Sequence, residues 1–109
     1  MADKDYYEAL GRYTDAKEKA EKLNIERAVK AKEIITGLTT ITDTATAIYK
    51  FNPETIEKMC EELREIDTQL KEAVGVANRY SAQCQKRTIE MRIPPEWVPK
   101  EGKTSVFVV

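Results

Sequence analysis

The sequence predicts an all-α fold: a long antiparallel two-helix coiled-coil hairpin with an extended C-terminal tail. Three observations carry this. Apolar residues recur at steps of three and four along two long stretches, the period of one helix face. A strong helix start, Phe51-Asn52-Pro53-Glu54-Thr55-Ile56, stands between them. After Arg92, Pro94-Pro95 and the single tryptophan end the helical pattern. Composition agrees, because 34% charged and 7% aromatic residues suit long exposed helices better than a sheet.

The first helix is expected over residues 4–50, capped by Asp3 or Asp5. Its stripe runs through Tyr6, Leu10, Tyr13, Ala16, Ala20, Leu23, Ala28, Ala31, Ile34, Leu38, Ile41, Ala45 and Ile48. Glu8–Arg12, Asp15–Lys19, Glu18–Lys22 and Glu26–Lys30 lie at i,i+4 on the other side, each worth about 0.2–0.5 kcal/mol. Residues 36–46 are the weak stretch, since threonine and glycine are poor helix formers. The apolar step carries the helix through them, with a kink at Gly37; a third helix starting near Asp43 is the alternative.

Residues 51–53 form the bend. Asn52 is a favoured N-cap, Pro53 suits the first helical position, and Glu54 meets the positive end of the helix dipole. Phe51 and Ile56 are spaced as a hydrophobic staple.

The second helix is expected over 53–92. Its stripe is Ile56, Met59, Leu63, Ile66, Leu70, Ala73, Ala77, Tyr80, Cys84, Arg87 and Met91. Folding the chain tightly at Asn52 pairs Ile48 with Ile56, Ala45 with Met59, Ile41 with Leu63, Leu38 with Ile66 and Ile34 with Leu70. Further along, Arg27 meets Ala77, Asn24 meets Tyr80 and Tyr13 meets Met91. Ile25, Val29, Ile35, Val74 and Val76 fall off this seam. A second hairpin covering them would make a four-helix bundle, so a homo-oligomer, a dimer first of all, is expected.

The tail comprises residues 93–109. Ile93 and Trp97 are expected to close over the aromatic patch Tyr6, Tyr7, Leu10 and Tyr13. That would project Ser105, Val106, Phe107, Val108 and Val109, a β-prone segment suited to adding a strand to a partner protein's sheet.

Reaction chemistry is not in view. There is no histidine, so the commonest general base and zinc ligand is missing. Gly102-Lys103-Thr104 resembles the end of a phosphate loop, but the glycine required upstream is Trp97. No catalytic, cofactor-binding or metal-binding residue is expected. Cys60 and Cys84, on one continuous helix, would stand roughly 36 Å apart, too far for a disulfide. With a net charge of −1, neither nucleic acid nor a membrane surface is implied by bulk electrostatics. No apolar run approaches a membrane span, and the polar N-terminal residues are unlike a signal peptide, so a cytoplasmic protein is expected. Charge is nonetheless uneven. Acids dominate the bend half, while Lys17, Lys22, Arg79, Lys86, Arg87 and Arg92 gather toward the open end. The expected function is a non-catalytic interaction protein of the adaptor, assembly-factor or small viral or prophage accessory kind. Nucleic-acid binding through the basic end is the alternative, weakened by the acids interleaved there.

Overall fold

The computed structural model describes residues 2–97, without the side chains of Ala2, Asp3 and Trp97. Two antiparallel helices, α1 (Ala2–Thr40) and α2 (Pro53–Ser81), lie side by side, joined by residues 41–52. The molecule is elongated, 69 × 34 × 19 Å. α2 begins where the sequence places it. Asn52 is extended, with φ −113° and ψ 92°, and its side-chain oxygen accepts from the Thr55 N–H at 3.4 Å. Pro53 fills the first turn beside Glu54. Phe51 stays half exposed.

α1 stops at Thr40 instead of running to residue 50. The threonines end it. Thr39 Oγ donates to the Ile35 carbonyl at 2.7 Å, Thr40 Oγ to that of Thr36, and Thr42 Oγ to that of Thr39. Hydroxyls that bind the local backbone favour ends and turns over helix interiors. Asp43 then closes a turn, accepting from the Thr46 hydroxyl at 2.6 Å and the Ala45 N–H at 3.1 Å. The Thr46 hydroxyl, followed by the Ala45 amide, holds the Asp43 carboxyl below its usual range. Asp43 therefore organises a turn and starts no third helix.

The pairing register also differs. A Cβ on Gly37 would lie 3.3 Å from Ile56 Cδ1. Lys30 reaches Glu62 at 3.3 Å, Arg27 reaches Asp67 at 2.7 Å, and the Arg12 guanidinium sits 5.7 Å from the centre of the Tyr80 ring. The helices are thus slid by about eleven residues, three turns, from the register of a tight bend. Eleven residues return a helix to within about 20° of the same face, so the apolar stripe fits either register. Arg27, expected against Ala77, finds a carboxylate instead.

The core forms two clusters along the seam. Ala9, Tyr13, Ala16, Ala77 and Cys84 make one; Ala20, Leu23, Leu70, Ala73 and Val74 make the other. Half of these residues are alanine, which lets the helix backbones approach closely.

α2 ends at Ser81, not at residue 92, and a short 3-10 turn, Ala82–Cys84, leads to Gln85 in the left-handed region at φ 57° and ψ 36°. The Lys86 N–H bonds to the Ser81 carbonyl at 2.8 Å and the Gln85 N–H to the Ala82 carbonyl at 3.3 Å. This is a Schellman cap with glutamine where glycine is usual. A left-handed glutamine carries a steric cost that glycine avoids, so Gln85→Gly is expected to raise unfolding stability by about 0.5–1 kcal/mol. Urea titration checks this, with Gln85→Val expected to shift the midpoint the other way.

Past Gln85 the chain doubles back. Residues 86–93 form a strap lying over the furrow between the helices. Asn78 clamps it, receiving the Ile89 N–H at 2.7 Å and donating to the Ile89 carbonyl at 3.1 Å. Tyr13 OH donates to the Arg87 carbonyl at 3.4 Å. Ile89 packs on both clusters and Met91 on the second.

Candidate interaction surfaces

The five residues expected to form an oligomer interface divide into two groups. Val74 is buried in the hairpin's own core on the side of the strap, and Val76 is half buried against the core on the opposite flank of α2, beside Arg12 and Tyr80. They leave the expected interface. Ile25 is 65% exposed, Val29 52% and Ile35 60%, all on α1.

A second apolar surface lies at the bend end, where sequence reasoning missed it. With Gly37 opposite Ile56, α1 overhangs the start of α2, and Leu38, Ile41, Ile48, Tyr49 and Phe51 stand exposed alongside Ile35. The tight-bend register had placed Leu38, Ile41 and Ile48 inside the seam.

The aromatic patch near the N-terminus is present but differently covered. Tyr13 is buried, and Tyr6 and Leu10 are half buried, against a cluster that includes Cys84 and Ile89. Tyr7 is exposed, its ring edge-on to Tyr6 with centroids 5.4 Å apart. Ile93 is half buried at the far end of the strap, which runs away from Tyr6 and Tyr7 toward Asn24 and Arg27. Ile93 is therefore no lid for that patch. The Trp97 side chain, and residues 105–109 with their expected role as a partner-binding strand, lie outside the described residues.

Lys17, Lys22, Arg79, Lys86, Arg87 and Arg92 are all exposed. Glu21 and Glu90 stand in the same groove as Lys17 and Arg92, so the two signs alternate there. The stronger electrostatic feature is mid-seam. Burial pushes the Asp67 carboxyl up, but hydrogen bonds and charge from Arg27 and Lys71 outweigh it and hold the group below the usual carboxylate range. Lys30 is raised, first by its bond to Glu33 and then by Glu62, on an exposed face.

Beside the strap an open groove of about 410 Å³ lies between α1, α2 and residues 89–92. Ala20, Leu70 and Val74 line it together with Ile89 and Met91, and Lys17, Asn24 and Arg92 are among its polar residues. Cys60 is exposed, Cys84 is buried, and both are free thiols. Cys84 lies beyond the end of α2, so the two cysteines do not share one helix. Among the described residues no helix is long and apolar enough to cross a membrane.

Comparison of the chain with protein-family models, with curated proteins and with solved structures finds no match.

Proposed function

We propose that this chain is a non-catalytic, cytoplasmic interaction protein of the adaptor or assembly-factor kind, a helical hairpin that self-associates. The observation that supports the reading is the set of large apolar side chains left uncovered on α1: Ile25, Val29 and Ile35, continuing into the bend end. Exposed apolar residues gathered on one element mark association surfaces more often than scattered ones do. A second hairpin laid along α1 would bury Ile25 and Val29 in a four-helix arrangement. The bend end then remains for a partner protein.

Light scattering at micromolar concentration tests this. The unmutated chain is expected to run as a dimer or larger, and Ile25→Glu with Val29→Glu as a monomer that keeps its helical circular dichroism. A stable monomer before mutation sinks the proposal.

A further inference from the structure

Among the described residues the strap has one edge without a partner. In extended chain the N–H and C=O of one residue point to the same side, and those of its neighbours to the other. Along residues 88–93 exposure alternates, with Ile89, Met91 and Ile93 half buried and Thr88, Glu90 and Arg92 exposed, as in an extended segment. Both Ile89 groups face Asn78 on α2. The backbone groups of Glu90 and Arg92 therefore face the other way, toward α1. Among the described residues, neither bonds to any other group. That edge borders the open groove, whose lining includes Glu90, Arg92, Ala20, Leu70 and Val74.

Backbone groups without a partner among the described residues, beside a groove with an apolar floor and charged rims, make a receptor for one more strand. We propose that the occupant is this chain's own segment Ser105, Val106, Phe107, Val108 and Val109. It pairs antiparallel with residues 88–92 to make a two-stranded ribbon laid over the helix pair.

Chemistry and length support this choice. The segment is uncharged and β-prone, and either alternate set, Val106 with Val108 or Phe107 with Val109, offers apolar side chains to the trough. Paired strands lie about 4.8 Å apart, while residues 98–104 can span roughly 23 Å. The connection includes Gly102, which favours a turn, and the short 3-10 turn Pro95–Trp97 already breaks the strap's direction. A tethered strand also meets its acceptor at an effective concentration of order millimolar, well above that of a second copy at micromolar concentration. The proposal does not rest on self-association through α1, since a monomer can carry the ribbon.

Amide hydrogen exchange on the full chain tests it. The Glu90 and Arg92 amides are expected to exchange on the order of 100-fold more slowly than unstructured chain, at any protein concentration. Deleting residues 105–109 should return both to near-free rates while Ile89, held by Asn78, stays protected. Val106→Asp with Phe107→Asp, which charges whichever set faces the groove, should weaken the same protection with the helical signal unchanged. Free exchange at Glu90 and Arg92 in the full chain, or equal protection after the deletion, overturns the proposal. Protection that appears only as concentration and mass rise would put the strand on a second copy and overturn the intramolecular pairing.

Discussion

Replacing Leu70 by alanine is expected to destabilise the hairpin by about 3 kcal/mol. Leu70 is 4% exposed, and with Leu23 it is one of only two leucines in a core that is half alanine. Its neighbours Ala20, Ala73 and Val74 are too short to collapse into the space it would leave. A chain of this size is held by about 5–15 kcal/mol in all, so the loss takes a large share. Urea unfolding followed by circular dichroism measures it. Glu61→Ala, at an exposed position of α2, serves as the control and should move stability by no more than about 0.5 kcal/mol. Equal effects at the two positions would mean that Leu70 is not at the centre of the seam.

Asn78→Ala should cost about 2 kcal/mol, near 1 for each hydrogen bond to Ile89. The two bonds are short, at 2.7 and 3.1 Å, and partly shielded from water. Alanine leaves a donor and an acceptor of the strap unmatched over an apolar floor. The relief open to the chain is to lift residues 86–93 off the furrow, which uncovers Ile89 and Met91. Two readings follow from one variant: a lower urea midpoint, and faster exchange of the Ile89 amide. Asn78→Asp should lie between, because it keeps the acceptor for the Ile89 N–H and loses the donor to the Ile89 carbonyl. A variant as stable as the parent, with Ile89 still protected, would show that packing alone seats the strap.

The helical class and the start of α2 were legible because their signals are local. Asn52, Pro53 and Glu54 act within one turn, and nothing distant competes with them. The end of α1 was harder to read, because Thr39, Thr40 and Thr42 can either continue a helix or bond back to it. A stripe of apolar residues records only which face is covered, and in this chain that holds across a slide of three turns. The charges carried the missing information. Arg27, in the first-helix stripe, and Lys30, on its flank, meet Asp67 and Glu62 in the slid register.

The strap was missed for a related reason. Met91 belongs both to a helical series through Cys84 and Arg87 and to an alternating series through Ile89 and Ile93. The alternation of Thr88, Glu90 and Arg92 with Ile89, Met91 and Ile93 was the signal that could have revealed it. Of the surfaces, Ile25, Val29 and Ile35 were found as exposed residues, whereas the bend end was hidden by the wrong register.

The seam can be pictured as two rulers with nearly matching marks. Sliding one along the other by three turns brings apolar marks into line again, so apolar matching alone leaves two settings of similar appeal. Arg27 with Asp67, and Lys30 with Glu62, work as a detent. In the other setting Arg27 would press on Ala77, with no carboxylate for its guanidinium. Each ion pair contributes modestly where it stands, and the other alignment forfeits both attractions at once. The polar rungs that look like flaws in the apolar stripe are what give the hairpin a single length.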